Sequence, residues 1–275
     1  MKKLFLLLTM AVFGLGQAYA QLDEDEFGIF NHVSLGVSAG TDGIGFDLAA
    51  PLTYNFAIRA GYSFMPKIKY KKKEVNIGSD VDFINGGTAD QLVDIEGKLN
   101  MADFKVLLDF YPFRSSSFHL TAGAYFGKSK PVQVYNAGPF LRETAWGNKG
   151  IELGTGYDSY TLVSESDGNV KAELKTKSFK PYVGIGFGRA VPKHRLAVQF
   201  DLGVQFWGKP EVWGNINSVN PETGMLETRY QKIDKDRIVT EGKDKAYKDI
   251  KDAIKTIEKF SVYPVLTLRL NGRLF

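Results

Sequence analysis

The chain has 275 residues, with 35 lysines and arginines against 31 aspartates and glutamates, 29 glycines and no cysteine. Without cysteine there is no disulfide framework, no thiolate metal site and no lipid-modified N-terminal cysteine. The near balance of charge gives no footprint for nucleic acid. The three histidines, His32, His119 and His194, lie too far apart for metal-ligand spacing, and no motif calls for a cofactor.

In chain order, Lys2 and Lys3 precede an apolar run from Leu4 to Leu15, and Ala18-Tyr19-Ala20 is a small-residue cleavage site. Residues 1–20 therefore read as a secretory signal peptide cleaved after Ala20, leaving 21–275 as one domain. Removing Lys2 and Lys3 from the 35 basic residues leaves 33 against 31 acidic ones. Beyond this segment no apolar run reaches the ~18 residues of a membrane helix. A secreted, cysteine-free chain rich in glycine, phenylalanine and tyrosine has the profile of a barrel in the outer membrane of a Gram-negative bacterium.

Eight segments alternate with the period of two that marks a strand. The first sets Val33, Leu35, Val37 and Ala39 against His32, Ser34, Gly36 and Ser38. The second sets Ile44, Phe46 and Leu48 against Gly45, Asp47 and Ala49, and the third Phe56, Ile58, Ala60, Tyr62 and Phe64 against Ala57, Arg59, Gly61 and Ser63. In the fourth, Phe104, Val106, Leu108 and Phe110 oppose Asp103, Lys105, Leu107 and Asp109. In the fifth, Phe118, Leu120, Ala122, Ala124 and Phe126 oppose His119, Thr121, Gly123 and Tyr125. The sixth is KPYVGIGFGRA, from Lys180. Its glycines fall at 184, 186 and 188, spacing that fails the G-x-G-x-x-G test of a dinucleotide loop. The seventh sets Val198, Phe200, Leu202, Val204 and Phe206 against Gln199, Asp201, Gly203 and Gln205, and the eighth Leu266, Leu268 and Leu270 against Thr267, Arg269 and Asn271.

One face of every segment is apolar; the other is charged or small. In a small membrane barrel the apolar faces meet lipid and the small residues make room inside. Gly184, Gly186 and Gly188 are then interior positions, opposite bulkier groups such as Tyr125 or Arg269. The links agree. Those at 40–43, 51–54, 112–117 and 191–195 are short, while 66–97, 128–178 and 208–260 are long and fall on one side, as outer loops do. Aromatic residues gather near strand ends: Tyr54, Phe110, Tyr111, Phe113 and Phe118 at the inner rim, and Phe64, Phe126, Phe206 and Trp207 at the outer. Phe275 shares parity with the inward set, so a bulge at Gly272 is expected to restore phase. The expected fold is all-β, an eight-stranded antiparallel transmembrane barrel with long outer loops and one short amphipathic helix in the last.

That helix is expected over 244–260. Tyr247, Ile250, Ile254 and Ile257 share one face there, and lysine and aspartate fill the other. It could cap the barrel mouth, bind a partner or pack on the third outer loop, 128–178, packing being the plainer reading; that loop carries turn signals and a strand-like Tyr160-Thr161-Leu162-Val163 and reads as a hairpin.

The inward charges are the first candidate site. Asp47, Asp109 and Asp201, with Asp103, face Arg59, Lys105 and Arg269. They read either as a narrow polar path for small charged solutes such as basic amino acids, or as a salt-bridged plug that fills the lumen of a closed structural or adhesion-type barrel whose outer loops bind a partner or lipopolysaccharide. A second candidate is the run Lys67-Ile68-Lys69-Tyr70-Lys71-Lys72-Lys73. Lys67, Lys69, Lys71, Lys72 and Lys73 could grip lipopolysaccharide phosphates; the plainer reading is a strand continuing above the membrane with a solvated basic face. His32-Val33-Ser34 places a base beside a hydroxyl, but no third carboxylate orients it, so it reads as interior lining and no catalytic residue is assigned. Outer-membrane lipids, lipopolysaccharide and, during biogenesis, the barrel-assembly machinery are the expected partners.

Three blocks, Pro181-Tyr182-Val183-Gly184-Ile185-Gly186-Phe187-Gly188, Phe200-Asp201-Leu202-Gly203-Val204 and Gly208-Lys209-Pro210-Glu211-Val212, resemble a family of small Gram-negative outer-membrane barrels that includes the ornithine-uptake (CarO-type) porins. Tyr263-Pro264-Val265 and the early Gly40-Thr41-Asp42-Gly43-Ile44-Gly45 fit the same pattern. The resemblance implies an eight-stranded barrel and, by analogy, slow passage of basic amino acids. It carries no substrate-contact motif onto numbered residues, and the outer loops do not visibly match.

Overall fold

In the computed structural model, the residues described are 28–66, 68–76, 92–128, 130–136, 150–153, 160–163, 170–219, 222–238 and 245–274. Among them, in chain order, are β1 (Ser34–Gly40), β2 (Gly43–Thr53), β3 (Phe56–Phe64), β4 (Ile68–Asn76), β5 (Leu92–Leu99), β6 (Ala102–Phe110), β7 (Phe118–Gly127) and β8 (Val132–Asn136). There follow β9 (Gly150–Leu153), β10 (Tyr160–Val163), β11 (Lys171–Lys175), β12 (Phe179–Phe187), β13 (Leu196–Phe206), β14 (Glu211–Val219) and β15 (Leu226–Lys232). A short 3-10 turn (Lys235–Arg237), the helix α1 (Lys245–Lys259) and β16 (Val262–Arg273) complete the order.

Eight of these strands close a barrel in the order β1-β16-β13-β12-β7-β6-β3-β2, every neighbouring pair antiparallel. They are the eight segments whose alternation marks them in the sequence. Closure removes every free edge, the condition for β-structure in lipid. The apolar faces point outward: Val37, Phe46, Phe104, Leu108, Val183, Ile185, Leu202 and Leu268 are all exposed on the barrel wall. No helix among the described residues is long and apolar enough to cross a membrane.

Aromatic pairs edge that belt, Phe56 with Phe110 and Phe118 with Phe187 at one end, Phe126 with Phe179 at the other. Two residues expected in the girdles are turned inward instead. Tyr111 and Trp207 are buried, Tyr111 inside the inner end and Trp207 stacked on Tyr263. Both keep the inward parity of their strands, Tyr111 that of Asp109 and Trp207 that of Gln205, and their backbone N–H groups still bond across to Asn55 and Ser261.

The strand bounds also shift. β2 runs through Pro51 to Thr53, with a register irregularity against β3 between those residues, so its turn shrinks to Tyr54 and Asn55. Thr53 Oγ1 caps that turn by accepting from the Asn55 and Phe56 N–H groups. The bulge expected at Gly272 is absent. Both ladders of β16 pass through Gly272 without a shift, to Leu35 on one side and Leu196 on the other. Leu274 points outward, and Phe275 lies outside the described residues.

The long outer links are more ordered than their sequence predicts. β4, β5, β8, β11 and β14 adjoin β3, β6, β7, β12 and β13 in the chain, and they pair in the same spatial order. Beyond β14 the sheet adds β10 and β9, the hairpin expected in the third loop, and β15 takes β14's other edge. One face of this second sheet is apolar. Leu162, Val170, Ile216, Ile233 and Ile238 are buried there with Ile254 of α1. The helix thus packs on the third-loop hairpin and β14, as its apolar stripe predicts, within a residue of the expected bounds.

Candidate functional site

The barrel interior comes from β6 read downward. Asp103, Lys105, Leu107 and Asp109 point in at successive depths, and Tyr111 follows at the inner end. At the Asp109 level Arg59 Nη2 lies 2.7 Å from Asp109 Oδ1, and Nη1 lies 2.8 Å from Asp201 Oδ2. Thr121 donates to Asp109 at 2.7 Å, and His119 Nε2 sits 2.7 Å from Asp201 Oδ1. Gln199 Nε2 contacts both His119 and Asp201, while its Oε1 accepts from Arg269 Nη1 at 3.1 Å. Arg269 in turn pairs with Asp47. Higher up, Lys105 lies 3.9 Å from Asp42, and Lys180 bonds Asp103 at 2.7 Å.

All six expected interior residues, Asp47, Arg59, Lys105, Asp109, Asp201 and Arg269, therefore meet in the lumen, and none is more than 3% exposed. His119, Lys180 and Asp42 join them. His119 belongs to the inward set by parity; Lys180 does too, two places before Tyr182. Asp42 occupies a two-residue turn, where strand parity gives no direction.

Apolar layers interleave with the charges. Between the Asp109 level and the Lys105 and Asp103 pairs, Leu107, Tyr125, Tyr182 and Val265 form one buried cluster. Below, Ala49, Ala57, Tyr111, Ala190 and Val191 form another. The second exists because the turn after β12 folds into the barrel mouth. The Ala190 N–H donates to Tyr111 Oη at 2.8 Å. The Ala190 carbonyl accepts from Ser34 Oγ at 2.6 Å and from Arg269 Nη1 at 3.1 Å, and the Arg189 carbonyl from Asn271 Nδ2 at 2.7 Å. The Arg189 guanidinium lies 4.9 Å from the ring centres of Tyr54 and Tyr111. The Ser34 hydroxyl is thus committed to structure, not paired with His32 as a nucleophile.

The interior glycines are spacers, but their neighbours differ from those expected. A Cβ on Gly186 would meet His119 and Asp201, and one on Gly184 would meet the Tyr182 ring. Gly36 is the position that makes room for Arg269. Gly188 is not interior lining: it follows β12 at φ +106°, where the chain turns toward the mouth.

The second sheet carries the other candidate. Residues directly opposite in antiparallel strands share a face. Lys71, Glu96, Tyr135 and Lys171 line up across β4, β5, β8 and β11. Lys69, Lys98, Gln133, Glu173, Trp213 and Lys232 form the next row. Lys69 and Lys71 reach Glu96 at 3.3 and 3.4 Å, and Tyr135 also donates to it. Of the expected basic run, Lys67 lies outside the described residues. Lys69 and Lys71 stand exposed on β4; for Lys72 and Lys73 only the backbone of β4 is described. The run is thus the strand extension read as the plainer alternative.

Glu173 centres the face. Its Oε1 receives Gln133 (2.8 Å) and Lys171 (3.0 Å), and its Oε2 receives Tyr230 (2.5 Å) and Lys130 (2.6 Å). Burial pushes this carboxyl up, but Lys130, Tyr230 and Lys171 outweigh it and hold it down at about 2. The same contact with Glu173, aided by Tyr230, raises the Lys130 ammonium above its ordinary range. Beside them lies a cavity of about 210 Å³ lined by Lys130, Lys171, Glu173, Asn215 and Tyr230.

No protein-family model and no curated protein matches this chain. Solved structures do resemble it. CarO2 of Acinetobacter baumannii aligns over 88% of this chain and 98% of its own, at 16% identity and a TM-score of 0.47. CarO of the same bacterium aligns over 89% and 99%, at 15% identity and a TM-score of 0.45. The structural neighbours are CarO outer-membrane proteins. At that distance the eight-stranded closure stands on this chain's own strand pairing, and no site residue is carried across.

Proposed function

We propose that this chain is a non-catalytic outer-membrane barrel, closed to solutes, that holds its second sheet at the outer surface as a binding platform. The observation that carries the reading is the Arg59–Asp201 pair, which bridges strands on opposite sides of the barrel. Lumen charges that are buried and paired form a plug, since a water path would leave them solvated. The layer around Tyr111 reinforces it at the inner end, and the one around Tyr182 between the charge levels. Short turns at one end and the second sheet at the other support an outward-facing sheet, with lipopolysaccharide as its neighbour.

The test is conductance of the refolded mature protein in a planar bilayer, with lysine or ornithine compared against glutamate. Silence from a folded barrel is expected. Reproducible current steps sensitive to the basic amino acids would replace this reading with a narrow channel lined by Asp47, Arg59, Lys105, Asp109, Asp201 and Arg269.

A further inference from the structure

The cavity on the second sheet is built from four strands or their flanks, so its groups are fixed by the sheet. Lys130 precedes β8, Lys171 and Glu173 are on β11, Asn215 is on β14 and Tyr230 on β15. Lys130 is held twice, by Glu173 and by the Tyr230 ring 4.4 Å from its ammonium. Each ammonium has three donors; Lys171 spends one on Glu173 and Lys130 one each on Glu173 and Tyr230, which leaves donors for a ligand oxygen. Glu173 itself is saturated, with two donors on each oxygen. A cation entering the cavity would find no free carboxylate oxygen; an anion would find two fixed ammonium groups. Lys69, Lys71, Lys98 and Lys175 lie on the same face and add to the positive field.

Asn215 decides what kind of anion. Among the described residues its amide makes no side-chain hydrogen bond, and it borders the cavity from β14, the neighbour of Lys171's strand, paired with Tyr230 across β14 and β15. A free amide offers both a donor and an acceptor, which matches a hydroxyl group, not a bare anion. The volume, about 210 Å³, falls below the roughly 300–1,000 Å³ of pockets that enclose drug-sized ligands. It suits one ring, not a chain of them. We infer that this cavity binds a single acidic sugar, its phosphate or carboxylate between Lys130 and Lys171 and a ring hydroxyl on Asn215. The inference rests on the reading of the second sheet as the working surface. The sugar could be the headgroup of an outer-leaflet glycolipid or a free sugar phosphate; both present the same chemistry.

The experiment titrates the refolded full-length barrel in detergent with glucose-6-phosphate, inorganic phosphate and glucose. In parallel, it measures the unfolding temperature in phosphatidylethanolamine vesicles with and without lipopolysaccharide. The variants are Lys130→Gln with Lys171→Gln, and Asn215→Ala, each checked for the folded barrel by heat-modifiable gel migration. Glucose-6-phosphate should bind at least tenfold more tightly than either control. The double lysine variant should lose that at least tenfold. Asn215→Ala should weaken glucose-6-phosphate several-fold and leave inorganic phosphate unchanged. Binding confined to lipopolysaccharide vesicles, and lost in the lysine variant, would support the inference and name the glycolipid as source. Equal affinity for glucose-6-phosphate and inorganic phosphate would overturn it, as would affinity unaffected by the lysine changes, or no binding in either arm. Current steps in the bilayer assay would sink the closed-barrel reading without altering these titrations, so the two failures are separable.

Discussion

Arg59 and Asp201 are joined across the full width of the barrel, 2.8 Å apart though their strands, β3 and β13, lie four places apart in a ring of eight. Arg59 also holds Asp109, so one guanidinium serves two buried carboxylates. Removing it leaves both charges buried without their partner. Arg59→Ala is expected to destabilise the barrel by about 3–5 kcal/mol, read as a lower urea midpoint. Arg59→Ala combined with Asp201→Ala should recover part of that loss and admit small-ion leakage in the bilayer, where the wild type is silent.

Gly186 sits where β7 and β13 press their polar groups together. A Cβ there would lie 2.5 Å from His119 Nε2 and 2.5 Å from the Phe200 carbonyl oxygen. The imidazole can swing; the β13 backbone cannot. Gly186→Val is expected to cost about 1–3 kcal/mol by overpacking and to lower the yield of heat-modifiable folded barrel.

Glu173 sets a pH dependence on the second sheet. Its folded value of about 2 is below its ordinary 4.5. A lowered carboxylate stabilises fully above its ordinary value and loses that contribution as pH falls through the folded one. The stability difference between wild type and Glu173→Gln should therefore be constant above pH 4.5 and shrink toward pH 2, measured by protease resistance of the second sheet across a pH series.

Ile254 is the buried anchor of α1 against Leu162, Ile216, Ile233 and Ile238. Ile254→Ala is expected to cost about 2–5 kcal/mol locally. Because that cluster lies outside the barrel, proteolysis should release α1 and the second sheet's edges while the barrel keeps its folded gel migration.

The barrel was legible because lipid imposes a strict alternation on eight strands, and each strand shows it. Inward parity alone identified Asp47, Arg59, Lys105, Asp109, Asp201 and Arg269. What parity lacks is partnership. That Arg59 meets Asp201, and Arg269 meets Asp47, depends on which strands oppose one another after closure. His119 was on the inward face but carried no sign of its carboxylate. The second sheet was hidden for another reason. Residues 68–72 and Tyr160–Val163 did read as strands, but Lys171-Ala172-Glu173-Leu174-Lys175 lacks the apolar alternation of the barrel strands, and nothing in the sequence pairs these segments into one sheet. Tyr111 and Trp207 were misplaced because an aromatic residue near a strand end reads as girdle, although each has the inward parity of Asp109 or Gln205.

The carbonyl of Ala190 accepts from Ser34 on β1 and from Arg269 on β16. Those are the first and last strands, and the seam between them is the join the chain makes when its ends meet. A turn from between β12 and β13 thus clasps both lips of that seam from inside. Sideways opening of the wall at this place would have to break the clasp as well as the ladder. Because the clasp needs both strands in place, it is whole only when the seam is, and it ties the join to a turn that neither strand supplies.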